Sequence, residues 1–204
     1  GNPSTIVWRL SNWFSDELIY LDISREQGYD LKRDDLNFQN RNNMLEIIED
    51  VSKKCFMPLT VGGGIRVIDD VFDRLRAGSD KVSINTQAYH QSHFIGDCVK
   101  EFGSQCIVVS IDAKRKEAGG WEVFVNCGRT SIGMGPKEWA LELQAQGAGE
   151  IIINSIDNDG VGKGYDLELI QQVVDAVNIP VIALGGVGDW KHFSEVIENV
   201  KKEG

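Results

Sequence analysis

Three features of the sequence predict an α/β fold of the (β/α)₈ barrel type with about six of the eight strands present. Short apolar runs alternate with amphipathic helical stretches, polar and glycine residues close one run after another, and the pattern recurs at long range. The chain opens on a helix-like stretch, PSTIVWRLSNWF (3–14), with no strand before it. LIYLDIS (18–24) is the first β-rich run, followed by MPLTVGGG (57–64), DKVSIN (80–85), QCIVVSID (105–112), EIIINSID (150–157) and IPVIALGG (179–186). Their near-continuous apolarity is that of parallel strands covered on both faces. Apolar residues at three-to-four spacing predict helices over 44–54, 67–78, 136–149, 167–177 and 190–204.

An open doubly wound sheet shares this alternation but concentrates its polar residues near one switch point. Here Asp22, Gly62 to Gly64, Ser83 and Asn85, Asp112, Asp157 and Asp159, and Gly185 and Gly186 close successive strands. That distribution fits the C-terminal mouth of a barrel. EIIINSID starts 132 residues after LIYLDIS, and LGGVG (184–188) starts 123 residues after VGGGI (61–65), which implies two similar half-barrels. Six strands cannot close an eight-stranded barrel, so the expectation is a single partial barrel domain over 1–204, truncated at both ends. The polar stretch 25–43 lacks apolar periodicity and reads as a long loop on the active face, its charges serving either a ligand or solvation.

A net charge of -10 and a pI near 4.8 supply no basic field for nucleic acid or an anionic membrane, so an anionic ligand needs a local site. Cys55, Cys98, Cys106 and Cys127, spaced by 43, 8 and 21, form neither a metal pattern nor a compact disulfide framework. Reduced thiols in a cytoplasm are expected, with no membrane span. His90, His93 and His192 fall in helical or loop stretches, which argues against histidine catalysis or a metal.

TVGGGI (60–65) and ALGGVG (183–188) each leave a strand with glycines just before a helix. Gly63, Gly64, Gly185 and Gly186 let the backbone approach an anion, and free N–H groups complete a phosphate cradle. Two such turns at equivalent places imply a ligand with a phosphate at each end. Asp112 at a strand tip is a candidate general acid or base, or a turn cap. Asp22, Asp157 and Asp159 occupy similar tips, and SIDNDG (155–160) reads equally as an Asx-turn loop. Spacing alone does not rank these four carboxylates.

The strings DELIYLDIS (16–24), PLTVGGGI (58–65), DKVSINT (80–86), FGSQCIVVSIDAKR (102–115), GAGEIIINSIDNDG (147–160), GYDLELI (164–170) and IPVIALGG (179–186), in this order, resemble the imidazole glycerol phosphate synthase cyclase family over nearly the whole chain. The resemblance implies a lyase-type enzyme of histidine biosynthesis without a cofactor. A glutaminase subunit, its heterodimer partner, would deliver ammonia through the barrel to a ribulose-bearing, doubly phosphorylated aminoimidazole carboxamide nucleotide. By this resemblance Asp112 matches one of two catalytic carboxylates. Gly64, Asn85 and Thr86 match one phosphate site, and Asp159, Gly160 and Gly186 part of the other. Glu17, Lys81 and Glu150 match positions of a charged ammonia gate, where the residues alone suggest a Lys81–Glu150 salt bridge at the barrel floor. Asp80 and Gln105 match the glutaminase docking face.

Two departures point toward a paralogous branch that serves amidino-sugar synthesis on surface polysaccharides: the long loop 25–43 and the string KKCFMPLT (53–60). A related isomerase of histidine synthesis shares the two-half barrel but admits no ammonia, and the Glu17, Lys81, Glu150 set speaks against it. A barrel kept only as an ammonia conduit is the remaining alternative.

Overall fold

A computed structural model describes residues 3–13, 15–23 and 43–202. The predicted active-face loop 25–43 lies, but for Asn43, outside the described residues. The chain divides into two compact units, Gly1–Ser83 and Ile84–Gly204. Each carries the parallel β/α repeat of the (β/α)₈ class.

The first unit holds α1 (Pro3–Asn12), β1 (Leu18–Leu21), α2 (Met44–Ser52), β2 (Leu59–Gly62), α3 (Ile68–Ala77) and the start of β3 (Lys81–Ile84). β1 and β2 run parallel with Leu18 beside Leu59, and β2 and β3 with Thr60 beside Lys81. Met44, Ile47, Ile48 and Val51 recur at helical spacing and bury one face of α2 against Val7, Leu59 and Val61. Asn43 starts that helix by accepting the Glu46 N–H at 3.0 Å, its amide reaching back to the Glu46 carboxylate at 3.1 Å. Asp70 does the same for α3, accepting the Arg66 and Val67 N–H groups at 2.8 and 3.0 Å.

The second unit continues with α4 (Thr86–His90), α5 (Phe94–Phe102), β4 (Ile107–Arg115), β5 (Trp121–Val125), β6 (Thr130–Ser131), α6 (Pro136–Ala145), β7 (Glu150–Ser155), α7 (Leu167–Ala176), β8 (Val181–Leu184) and α8 (Lys191–Asn199). β7 is the central strand here, parallel to β4 on one side and to β8 on the other. Ile151, Ile152 and Ile153 are wholly buried on it, which explains its unbroken apolarity.

All six predicted runs carry strands, with β5 and β6 added. These two form an antiparallel meander on β4, Arg115 facing Trp121 and Phe124 facing Ser131. The meander prolongs β4 to Arg115, past the predicted tip at Asp112. Arg115 stacks on the Trp121 ring at 4.4 Å, and the Trp121 indole N–H donates to Asp166 at 3.0 Å, so the extension is tied to the N-terminus of α7. Among the described residues no helix is long and apolar enough to cross a membrane.

Candidate functional site

Asp112 lies on β4 with Asn154 of β7 as its register partner, so the two side chains share one face of the sheet. Its Oδ1 accepts the Asn154 amide at 3.0 Å and its Oδ2 accepts the Asn85 amide at 3.0 Å. Burial raises the Asp112 pKa above the ordinary aspartate range, the two amide hydrogen bonds lower it, and the charge of Asp159 raises it again, with a net upward shift. The outcome is a desolvated carboxyl held by neutral donors, an arrangement able to take up and release a proton.

Asn85 and Thr86 stand where β3 gives way to α4. The Thr86 hydroxyl donates to Asn85 Oδ1 at 3.4 Å and accepts the Asn126 N–H at 3.0 Å. Asn126 and Cys127 form the β5–β6 turn with φ of 54° and 56°, a backbone region that costs non-glycine residues energy. The turn is therefore anchored to the start of α4.

Asp159 and Gly160 follow β7 in a turn closed by Asp159 N–H on Ser155 O at 3.0 Å, and both are exposed. The glycines after β8 approach this loop closely. Gly164 N–H donates to Gly186 O at 2.8 Å, and the Asn158 amide donates to Gly164 O at 3.1 Å. A Cβ at Gly186 would run into the Gly164 carbonyl, and one at Gly185 would stand 2.9 Å from Asn154 Oδ1. The second unit thus brings Asp112, Asn154, Asp159 and the Gly185–Gly186 turn into one neighbourhood. Asp157 is instead a strand pin, accepting the Arg115 N–H at 2.8 Å. His192 is buried, and its Nδ1 accepts the Gly188 and Asp189 N–H groups.

In the first unit Gly63 and Gly64 turn with φ of 101° and 65°. The buried Arg74 guanidinium props this turn, donating to Gly63 O at 2.8 Å and to Asp70 O at 2.8 Å. Below the strands, Lys81 Nζ meets Glu17 Oε1 at 3.1 Å, and the same oxygen accepts the buried Thr60 hydroxyl at 2.9 Å. Asp80 closes the start of β2, its carboxylate accepting the Leu59 N–H at 2.8 Å. In the second unit Glu150 opens β7 beside Val108, and the exposed Gln105 amide donates to Phe102 O at 3.3 Å.

Asn154 and Arg74 escaped the sequence reading. Asn154 was signalled by a polar residue directly after the Ile151–Ile153 run, and Arg74 by nothing local, since it occupies an ordinary amphipathic helix.

The family model described as histidine biosynthesis protein matches residues 10–204. The chain belongs to the histidine biosynthesis protein family. Its relatives include the imidazole glycerol phosphate synthase subunit HisF of Clostridium botulinum strain Okra (type B1), 45% identical over 199 residues, which covers 97% of this chain and 74% of that protein. The same subunit from strain Langeland (type F) is 45% identical and that from strain Kyoto (type A2) 44%, with the same shares covered. At this identity the histidine biosynthesis family fixes the fold class and the kind of enzyme: a (β/α)₈ synthase subunit.

Proposed function

We propose that this chain is the cyclase subunit of an imidazole glycerol phosphate synthase. It takes a doubly phosphorylated ribulosyl aminoimidazole carboxamide nucleotide and ammonia, and yields imidazole glycerol phosphate and aminoimidazole carboxamide ribotide. The observation that carries the reading is Asp112, desolvated, raised in pKa and clamped on both oxygens at 3.0 Å in a member of this family. Ring closure and the accompanying carbon–nitrogen cleavage both require protons to move. A carboxyl whose proton affinity burial has raised, and whose orientation is fixed, suits that work.

Substrate phosphates are assigned to the Gly63–Gly64 turn at one end and to Asp159, Gly160, Gly185 and Gly186 at the other, with Asn85 and Thr86 also on the substrate. Open backbone N–H groups at glycine turns favour anions there. A glutaminase partner supplies the ammonia, docking through Asp80 and Gln105, with Glu17, Lys81 and Glu150 controlling entry. The Glu17–Lys81 pair is a ready latch, since its opening exchanges one partly exposed ion pair for hydration.

The test is Asp112→Asn in protein expressed from the complete coding sequence, with saturating ammonium salt replacing the glutaminase. Turnover should fall on the order of 10²-fold or more, the scale for losing positioned acid–base catalysis. Near-normal turnover sinks the assignment. An unmodified protein that never converts the nucleotide, yet feeds ammonia to a sugar-amidating enzyme, would place the chain in the polysaccharide branch.

A further inference from the structure

Asn154 has two ends, and only one of them serves to clamp Asp112. Its Nδ2 donates to Asp112 Oδ1 at 3.0 Å, and this bond settles which way the amide faces, because its oxygen turned toward a carboxylate would be repelled. Oδ1 therefore points away from Asp112. It is buried and has no hydrogen-bond partner among the described residues. An acceptor stripped of water and left unpaired destabilises the fold, and clamping Asp112 takes only the other end of the amide.

We infer that Asn154 positions Asp112 through its amide N–H and takes a hydrogen-bond donor of the bound substrate on its Oδ1. The inference rests on the proposed role of Asp112. Register supports it: Asn154 stands beside Asp112 on β4 and beside Leu184 on β8, one residue before the glycine turn. Its Oδ1 faces that turn, within 2.9 Å of where a Cβ at Gly185 would be. Asn154 thus spans from the proton-exchanging carboxyl to the turn assigned to a phosphate. The ionised oxygens of a phosphate are acceptors and cannot satisfy Oδ1. The group that does is a hydroxyl or N–H of the substrate, adjoining the phosphate and next to the reacting centre.

The two roles separate in kinetics. Asn154→Leu, made in the protein expressed from the complete coding sequence and assayed with saturating ammonium salt, is expected to lower kcat at least tenfold and raise KM for the phosphorylated substrate at least fivefold. In an Asp112→Asn background the same change is expected to leave the residual kcat where it was, because positioning acts only through Asp112, while KM still rises. Kinetics are read well below the melting temperature of each variant, because Leu removes an unpaired buried acceptor but also leaves Asp112 Oδ1 without its donor. If Asn154→Leu does not fold, Asn154→Ala is measured in the same way and must give the same split. A second loss of kcat in the Asp112→Asn background overturns the positioning role, and an unchanged KM overturns the substrate contact. Asp112→Asn alone reports on the underlying reading. Near-normal turnover there overturns that reading and the positioning role with it, whereas a crippled Asp112→Asn beside a normal Asn154→Leu overturns the Asn154 inference alone.

Discussion

Adjacent glycines after β2 should respond to alanine in opposite ways. Gly63 has φ of 101°, outside the left-handed helical region, and a Cβ there would overlap the backbone oxygen of Asp22 and stand 2.8 Å from its Cβ. Neither atom belongs to a flexible side-chain end, so the strand connection itself must shift. Strain and overpacking of this kind each cost about 1–3 kcal/mol, so Gly63→Ala should lose about 3 kcal/mol or more. Gly64 has φ of 65°, which an L residue reaches for about 1–2 kcal/mol, and among the described residues its Cβ would meet only Arg74 Nη2 at an ordinary 3.5 Å. In a protein of this size each kcal/mol is about 2–4 °C in Tm, so Gly64→Ala should melt a few degrees low and Gly63→Ala should melt far lower or fail to fold. Function should divide the other way. The added methyl at Gly64 points to the side of the turn proposed to receive the phosphate, and phosphate affinity should fall at least tenfold, about 1.4 kcal/mol. Denaturant melts and calorimetric titration with inorganic phosphate read the two quantities separately. Equal loss of stability in both variants, or native phosphate affinity in Gly64→Ala, would refute the reasoning.

Two further outcomes follow from the charged groups. Because the folded state raises the Asp112 pKa, it binds a proton that the unfolded chain has already released, so wild-type stability should fall as pH rises from about 4 through the raised value. The Tm difference between Asp112→Asn and wild type should grow in favour of Asn across that window and then level off, and a difference that does not vary with pH contradicts the shift. Lys81→Met removes a largely buried ion pair with Glu17, whose oxygen keeps the Thr60 hydroxyl, so stability should drop by about 1 kcal/mol or more. With the glutaminase present, glutamine-driven turnover should fall several-fold relative to ammonium-driven turnover, and an unaltered ratio removes Lys81 from the gate.

The parallel strands were legible because burial on both faces writes itself into the sequence as runs such as EIIINS, with no alternation to decode. β5 was not, because WEVFV is a half-exposed strand whose partner is the prolongation of β4 across the Gly119–Gly120 turn, a pairing that periodicity does not signal. α4, of five residues, is too short to show a helical period. The glycine turns were visible as residue types, but not which glycine meets the chain and which faces open space; that depends on how closely Asp22 passes Gly63. Asp157 and Asp112 looked alike as strand-closing acids. The structure gives one of them a backbone N–H to hold, and the other a buried place in the ladder.

The surroundings of Asp112 were the least legible of all, because they depend on register between residues 27 and 42 positions apart. They also explain why the partners are amides. A lysine or arginine 3 Å from the carboxyl would have oriented it equally well, but an adjacent cation typically depresses a carboxyl pKa by about 1–3 units and would have fixed it as an ion. Asn85 and Asn154 supply direction with a smaller downward pull, and the upward effect of burial outweighs them. A negatively charged neighbour, Asp159, pushes the same way. Orientation and proton affinity are therefore set by different groups. Replacing Asn154 by lysine should bring a cation beside Asp112 and lower its pKa, to be read by NMR titration of the Asp112 carboxyl, and an Asp112 pKa still above the ordinary aspartate range would refute the argument.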